Sequence, residues 1–340
     1  MNAHDDGASA AVPGRLPRPW LLADIGGTNA RFGWLAAGSV AAEHVETLPT
    51  ADYAEPGDAV EAYLARLSSA LGNAYQAPRA AALAVATAVD ADLICFTNSH
   101  WRFARAGLQQ RLGLDALLVL NDFEALALSL PRLAAHQVQT IGPRRQAPLA
   151  TLAVIGPGTG LGVAGLLPTR CGWVAVAGEG GHAGLAAGDD FDAALVAAAR
   201  RSVADVSAER LLSGTGLPLL HSAVAQVLGV AAPTLTAPEI VERALAGGDA
   251  VCERCIDSFC ALLGGFASGV ALTLGARGGV YIGGGIAPRL GERFLQSRFR
   301  ERFDANERRG AYLQAIPTFL ITDTLAALSG AALALEQHLV

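Results

Sequence analysis

The sequence predicts an α/β protein with two domains, and three observations support this prediction. The chain has 340 residues, enough for two ordinary domains with sizeable cores. Short apolar runs of strand length alternate with longer segments of helical spacing. One pattern, an apolar strand entering a Gly-Thr turn and returning as a second strand, occurs at 22–29 and again at 152–160. As a true repeat, it would give two related domains that each present a Gly-rich hairpin to a shared cleft.

The composition limits the class of protein. Apolar residues make up 52% and charged residues 16%, so the chain is globular rather than disordered. The net charge is −6, and no basic stripe interleaves with aromatic residues, so we expect no nucleic acid partner. No apolar run reaches the length of a membrane span, and we expect no membrane partner. Residues 1–19 do not have the pattern of a signal peptide and are expected to form a disordered tail.

The five cysteines indicate a reducing compartment. Their number is odd, and with no secretion signal this favours the cytoplasm. Cys252, Cys255 and Cys260 are spaced like a metal cluster, but they lie in a segment of helical spacing without a fourth ligand nearby. We therefore favour a buried helix over a metal site there.

The first half of the chain is predicted to contain both strands and helices. Its opening strand is followed by a Gly turn and then by a second apolar stretch, so we predict a β-hairpin rather than a strand–helix unit. In order, we predict a strand at 20–25, a helix over 58–72, two strands with a break within 81–96, a helix over 99–113, a buried strand at 117–120 and a helix after Asp122.

The second half follows a polar, Pro-broken stretch at 136–150 that we expect to connect the domains. A strand, Gly turn and strand then occupy 151–167. A long helical region covers 239–275, a strand with a Gly-rich exit follows, and the final helix is expected over 322–338.

Asp122 is the polar residue that most needs an explanation. The apolar run 117–120 leads directly into Asn121 and Asp122, and a carboxylate at the mouth of a buried strand is costly unless something uses it. One role is the N-cap of the following helix, which is the commoner task of Asp in that place. The other is chemistry, and the residues around it favour the cap when taken alone.

The two Gly-Thr turns are suited to bind phosphate. Such turns let several backbone N–H groups converge on one anion, although each turn alone is equally well explained as a structural turn. No G-x-x-x-x-G-K-[ST] motif occurs, which excludes a P-loop enzyme. A strand rather than a helix follows "GPGTGLG", which argues against a dinucleotide fold. Asp24, at the strand end beside the first turn, is placed to hold Mg²⁺ through water.

Six segments in order carry a resemblance to a known family. They are "DIGGTNARF" (24–32), "LNDFEALALSLP" (120–131), "IGPGTGLGVA" (155–164), "GEGGHAGLA" (178–186), "ERLLSGTGL" (209–217) and "GGVYIGGGIAPR" (278–289). Together they closely resemble the bacterial glucokinases of the non-ROK type, in the actin/hexokinase/Hsp70 superfamily. The resemblance runs from residue 20 to the C-terminus. The chain lacks the Cys-rich zinc motif after a His that ROK kinases carry.

The resemblance implies a fold and an activity. The fold would be the two-domain actin-like ATPase (ribonuclease H-like) fold with an interdomain cleft. Residues 20–132 plus 321–340 would form the small α/β domain, and 133–320 the large one. The implied activity is phosphorylation of D-glucose to glucose 6-phosphate, with ATP and Mg²⁺, by a cytoplasmic homodimer. Sugar binding would close the cleft and exclude water.

The resemblance also implies the site residues. Asp122 would be the catalytic base, kept ionised by the helix N-terminus. The residues implied to bind sugar are Asn98, Asn121, Asp122, Glu179, His182 and Glu209. Those implied to bind Mg²⁺-ATP are Asp24, Gly26, Gly27, Thr28, Asn29, Gly158, Thr159, Gly160, Gly283 and Gly284, with Asp24 holding the metal through water.

Some of these residues have simpler explanations. Asn98 could cap a helix beginning near Ser99, and Glu209 could be a solvated residue in the first turn of a helix. Gly283 and Gly284 could serve only to pack a strand against a helix.

The substrate is left open by one departure from the family pattern. The segment 84–98 lacks the Pro and the Gly-Asp turn that usually precede Thr-Asn-x-x-Trp. A kinase for fructose, mannose or an amino sugar is therefore one alternative. A sugar sensor without turnover is the other, although an intact Asp122 favours catalysis.

Overall fold

The computed structural model describes residues 16–143, 147 and 149–339. Contacts divide the chain into a first unit, residues 1–125 with 327–340, and a second unit, residues 126–326. Most of the predicted tail, 1–15, lies outside the described residues. In the described part of the tail, residues 16–19, the Arg18 guanidinium donates to Glu336 Oε1 at 2.8 Å. The expectation that the whole of 1–19 is disordered is therefore wrong for these last residues.

The first unit is built on a mixed sheet with the strand order β3-β2-β1-β4-β7. Its first three strands are antiparallel neighbours, whereas β1, β4 and β7 run parallel. The elements up to the unit boundary are β1 (Trp20–Ile25), β2 (Asn29–Leu35), β3 (Glu43–Pro49), α1 (Pro56–Leu71), β4 (Ala80–Val85), β5 (Leu93–Cys95), β6 (Arg102–Ala104), α2 (Arg105–Arg111), β7 (Ala116–Asn121) and α3 (Asp122–Ser129), which crosses it.

The second unit has a sheet of order β11-β10-β9-β12-β13-β8, and the chain then returns to the first unit through its last helix, α12. The strands are β8 (Val138–Thr140), β9 (Leu152–Pro157), β10 (Leu161–Thr169), β11 (Gly172–Gly178), β12 (Gly279–Ile282) and β13 (Thr318–Ile321). The helices are α4 (Asp190–Ala199), α5 (Leu217–Leu228), α6 (Ala237–Ala246), α7 (Ala250–Leu274), α8 (Ile286–Leu290), α9 (Glu292–Leu295), α10 (Phe299–Asp304), α11 (Gly310–Gln314) and α12 (Ala326–His338).

The two sheets repeat the same connectivity, which confirms the internal repeat predicted from the sequence. In each, three antiparallel strands are followed by a fourth that pairs in parallel with the first and a fifth that pairs in parallel with the fourth, so β3-β2-β1-β4-β7 corresponds to β11-β10-β9-β12-β13. Both predicted hairpins form. The first turn is closed by the pair Ile25 and Ala30, and the second by Pro157 and Leu161. Each Gly-Thr turn therefore lies at the same place in its own sheet.

Each unit has its own hydrophobic core, as two separate clusters of buried side chains. The core of the second unit surrounds α7, which packs on α5, α6 and α10. By length and composition this 25-residue helix could cross a membrane, so the expectation that no apolar run has that length is wrong. Because 67% of its most apolar window is buried inside the protein, we interpret α7 as a core helix.

Three segments differ from their sequence-based predictions. The helix expected over 99–113 begins only at Arg105, because Arg102–Ala104 pairs with β5 and buries Phe103. The polar stretch 136–150 contributes an edge strand, β8, which pairs with β13. The helical region 239–275 is two helices, since Gly247 and Gly248 both have positive φ angles that end the first.

Two neighbouring glycines of α7 test the packing of this core. A Cβ at Gly264 would overlap the Phe299 carbonyl at the start of α10, whereas a Cβ at Gly265 meets nothing within 4 Å. We expect Gly264→Ala to lower the free energy of unfolding by about 1–3 kcal/mol through overpacking. Gly265→Ala should raise it by about 0.5–1 kcal/mol through helix propensity.

Urea denaturation of both variants and the unmodified protein measures these changes. Equal stability of the two variants would contradict the close approach of α10 to Gly264.

Candidate active site

The carboxyl ends of three parallel strands gather acidic and amide side chains in the first unit. The register aligns Ile25 with Val85 and Val85 with Asn121, so Asp24 and Asp122 lie at the same edge of the sheet. In open α/β sheets, this is the edge where ligands bind.

Asp122 is the first residue of α3, and Asn121 before it also accepts a hydrogen bond from the helix N-terminus. The Phe123 N–H donates to Asn121 Oδ1 and to Asp122 Oδ1, each at 2.9 Å. Asn121 also donates through Nδ2 to the Thr87 carbonyl at 3.3 Å. Because the Asn121 amide caps the same N–H, capping alone does not account for a carboxylate at position 122.

Burial raises the pKa of Asp122 to about 7, and the negative charge of Asp24 adds to this shift. The Phe123 N–H lowers the pKa but does not offset the desolvation. In the ligand-free protein the helix N-terminus therefore does not keep the pKa of Asp122 at its ordinary low value, contrary to the expectation that it keeps this carboxyl ionised.

Asp24 has a partner that the sequence reasoning missed. Arg31 Nη1 lies 3.1 Å from Asp24 Oδ2, and the two residues face each other across the β1–β2 hairpin. Burial raises the pKa of Asp24, and the guanidinium of Arg31 opposes this shift. The hairpin turn centred on residues 27–28 would have revealed this pair, since it sets 24 opposite 31.

The donor set at this edge fits a magnesium ion that is held partly by other ligands. Two carboxyl groups whose pKa values are raised by burial would both be stabilised by a cation. Among the described residues, no group of three or more His, Cys, Asp or Glu side chains is arranged to hold a metal. Mg²⁺ typically uses one or two carboxylates and completes its shell with water and substrate phosphates.

The first Gly-Thr turn lies against Asn98. Gly26 N–H donates to the Asn29 carbonyl at 2.9 Å, which leaves Gly27 and Thr28 at the tip. A Cβ on Gly27 would come within 2.6 Å of the Asn98 carbonyl oxygen, so only glycine fits there. Asn98 is exposed in a loop, and because α2 begins at Arg105, the alternative role of capping a helix near Ser99 is wrong.

The second Gly-Thr turn contacts Glu209. Gly158 N–H donates to the Gly160 carbonyl at 2.9 Å, and Leu161 N–H donates to Glu209 Oε2 at 2.8 Å. A Cβ on Gly160 would lie 2.5 Å from that same carboxylate oxygen. Glu209 lies in a turn, not in the first turn of a helix as the alternative explanation required.

Gly283 and Gly284 lie close to the second turn. Gly283 N–H donates to the Ile155 carbonyl at 2.8 Å. Gly284 has φ +72°, and a Cβ there would overlap the Pro157 carbonyl. Packing against β9 therefore requires glycine at 284 whether or not a nucleotide binds.

Glu179, His182 and Glu209 come together in the second unit. His182 Nε2 lies 3.7 Å from Glu179 Oε2, and His182 Nδ1 lies 3.9 Å from Glu209 Oε1. The loop that carries Glu179 and His182 packs closely on β10. The contact is so close that a Cβ on Gly181 would overlap the Leu161 carbonyl. The side chains of Glu179 and His182 are 86% and 60% exposed, so their polar atoms are open to a ligand.

The predicted residues thus form one group in each unit. The first unit brings together Asp24, Gly26, Gly27, Thr28, Asn29, Asn98, Asn121 and Asp122. The second brings together Gly158, Thr159, Gly160, Glu179, His182, Glu209, Gly283 and Gly284.

Comparison with known proteins identifies the family of the chain. The sequence profile of the family described as Glucokinase matches residues 21–338. A glucokinase of Chromobacterium violaceum is 46% identical over 326 residues, which cover 95% of this chain and 92% of that protein. A glucokinase of Neisseria meningitidis serogroup C is 45% identical over 94% of this chain and 96% of its own length.

A solved structure extends the comparison to the fold. The glucokinase from an Antarctic psychrotroph superimposes with a TM-score of 0.86 at 37% identity, over 94% of this chain and 98% of that one. The fold is thus that of the actin-like sugar kinases. Within that class, the chain belongs to the glucokinase family.

The raised pKa of Asp122 predicts how stability depends on pH. Because the folded-state pKa lies above the ordinary 3.8, the stabilising contribution is complete below that value and is lost as pH rises through about 7. Without Mg²⁺ and nucleotide, Asp122→Asn should therefore have a higher Tm than the unmodified protein at about pH 8. The difference should shrink toward about pH 5, where Asp122 is protonated.

Asp115→Asn is the matched control, since Asp115 precedes β7 at its other end and pairs with Arg79 in solvent. The measurement is Tm as a function of pH. A gap between Asp122→Asn and the unmodified protein that stays constant with pH would contradict the raised pKa.

Proposed function

We propose that Asp122 is the catalytic base in the phosphorylation of D-glucose by ATP, which is the reaction of this enzyme family. The observation that carries the proposal is the position of Asp122 at the carboxyl edge of a parallel sheet, beside Asp24 and with a pKa of about 7. A base with a pKa near the working pH is well matched to accept a proton in the transition state.

The proposed step is an in-line transfer. The 6-hydroxyl oxygen of glucose forms a bond to the γ-phosphorus while the bond from that phosphorus to the bridging oxygen of ADP breaks. The hydroxyl proton passes to the Asp122 carboxylate. Phosphoryl transfer depends mainly on positioning and charge stabilisation, so a carboxylate that aligns the hydroxyl is the main chemical group that the protein must supply.

The sugar would be bound by amide, carboxylate and imidazole groups. In the first unit these are Asn98 and Asn121, and in the second Glu179, His182 and Glu209. The exposed polar atoms of Glu179 and His182 support this assignment. Each hydroxyl of a hexose can donate and accept, and a sugar that lacks one would leave a polar group unpaired.

The nucleotide would be bound by the two Gly-Thr turns. Backbone N–H groups of residues 26–29 and 158–160 would hold the phosphates, with Gly283 and Gly284 on the nucleoside side. Mg²⁺ would lie near Asp24 and neutralise phosphate charge, with water between ion and carboxylate. The finer assignments to a cytoplasmic homodimer and to a cleft between domains divided near residues 132 and 321 rest on the family resemblance.

A substrate panel tests the activity directly. Release of ADP from Mg²⁺-ATP is measured with glucose, mannose, fructose, glucosamine and N-acetylglucosamine, each against a blank without sugar. We expect release with glucose to exceed all others. Stronger release with another sugar would keep the kinase chemistry and change the substrate. No sugar-dependent release from folded protein would favour a sensor.

Asp122→Asn tests the base. We expect turnover to fall by about 10²–10⁴-fold, because the amide cannot accept the proton, while glucose binding measured by calorimetry persists. Asp115→Asn, the same change at the other end of β7, should retain normal turnover. Near-normal activity of Asp122→Asn would remove Asp122 from this role.

The pH profile provides a second test of Asp122. With both substrates below saturation, kcat/KM should fall as pH decreases below about 7, since the protonated carboxyl cannot act as a base. Bound Mg²⁺ shifts this limb to lower pH by stabilising the carboxylate. A profile that is flat from about pH 5 to pH 8, with the protein still folded, would contradict the assignment.

A further inference from the structure

We infer that Thr50 and Thr215 are positioning residues that set the two Gly-Thr turns for phosphate binding by holding the turns' carbonyl groups. This inference rests on the proposed function, because it assumes that the turns bind phosphate. Neither residue belongs to a Gly-Thr turn. Each comes from a different part of its own unit.

Thr50 binds both carbonyls at the tip of the first turn. Its Oγ1–H donates to the Gly27 carbonyl at 2.8 Å, and its N–H donates to the Thr28 carbonyl at 2.9 Å. Thr50 is only 3% exposed, so water has little access to compete for these bonds. It follows β3 directly and begins a 3₁₀ turn, Thr50–Asp52, which fixes its backbone.

This arrangement determines where the N–H groups of the turn point. A trans peptide is planar, and its C=O and N–H groups point in opposite directions. With the Gly27 carbonyl held by Thr50, the Thr28 N–H of the same peptide must point away from Thr50. No acceptor among the described residues lies on the N–H of Gly27 or Thr28. The Thr28 N–H is thus directed by Thr50, and both N–H groups are free to bind an anion.

The second turn has the same kind of support. The Gly158 carbonyl accepts from Gly214 N–H at 2.7 Å. The Thr159 carbonyl accepts from Thr215 N–H at 3.3 Å and from Thr215 Oγ1–H at 3.2 Å. The Gly160 N–H, in the same peptide as the Thr159 carbonyl, therefore points away from Thr215.

The segment that carries Thr215 also reaches the predicted sugar-binding group. Ser213 is fully buried, and its Oγ–H donates to the Glu209 carbonyl at 2.7 Å. Ser213 lies four residues after Glu209 and one residue before Gly214. Its bond therefore links the segment that supports the second Gly-Thr turn to Glu209, which accepts from Leu161 N–H.

The threonines matter because Gly-containing turns can flip. Glycine populates positive and negative φ about equally, so the peptide between Gly27 and Thr28 could rotate at small cost without a partner for its carbonyl. A flipped peptide would present a carbonyl oxygen to the phosphate in place of an N–H, which replaces attraction by repulsion. Holding the carbonyl prevents this exchange before the nucleotide binds.

The experiment compares Thr50→Val, which keeps the shape and removes the hydroxyl, with Thr50→Ser, which keeps the hydroxyl. We expect Thr50→Val to raise KM for ATP by about 3- to 10-fold, the effect of one neutral hydrogen bond. KM for glucose should change less, and Thr50→Ser should return KM for ATP to within about 2-fold of the unmodified enzyme. Thr47→Val, the same change at an exposed site of β3, is the matched control.

Thr215→Val should act in the same direction but more weakly. Thr215 is exposed, and water can replace its hydroxyl at the Thr159 carbonyl, so we expect about a 2- to 3-fold rise in KM for ATP. Tm is recorded for every variant, so that a general loss of folding is recognised by equal losses with both substrates.

The outcomes separate this inference from the proposed function. Unchanged KM for ATP in Thr50→Val, or an increase that Thr50→Ser does not reverse, would overturn the positioning role while the unmodified enzyme still phosphorylates glucose. Absence of sugar-dependent ADP release from the unmodified enzyme would overturn the proposed function, and the positioning role with it.

Discussion

The candidate site depends on two carboxyl groups, Asp24 and Asp122, which are partly buried at the same edge of three parallel strands. Such an arrangement opposes folding, because burial and mutual repulsion both disfavour the charged forms. Arg31 offsets part of this cost at Asp24, and the Phe123 N–H offsets part of it at Asp122. The cost that is not offset leaves the pKa values of both carboxyl groups raised. A nearby cation would stabilise their charged forms, and either carboxylate can accept a proton more readily than an exposed one.

Close backbone packing is the second constraint. Gly27 and Gly181 each lie against a neighbouring carbonyl group where no Cβ fits. In the first unit the Asn98 segment contacts the first Gly-Thr turn, and in the second the Glu179–His182 loop contacts β10. Predicted sugar-binding residues and predicted phosphate-binding turns are therefore mechanically connected within each unit. A displacement of a Gly-Thr turn is expected to shift the predicted sugar-binding residues of the same unit, because close-packed backbone transmits small displacements.

The repeated sheet explains why the two turns are alike. In both units the turn joins the first two strands, and the first strand pairs in parallel with the fourth element of the sheet. The supporting residues differ, however. Thr50 comes from the end of β3, whereas Gly214 and Thr215 come from the segment before α5. The same geometric requirement, a held carbonyl, is met by unrelated pieces of chain.

The sequence by itself determined the hairpins, the buried strand before Asp122 and most helices, because these follow from local periodicity and turn chemistry. Six ordered motifs also determined the family. The sequence did not determine the protonation of Asp122, since its helix position suggested a charge and only the tertiary structure shows how much water is removed. Thr50 and Thr215 were missed for a related reason, whereas Arg31 could have been found from the hairpin turn that sets it opposite Asp24. The roles of the two threonines come from hydrogen bonds that form only when distant segments of the chain meet, and no local pattern in the sequence records those contacts.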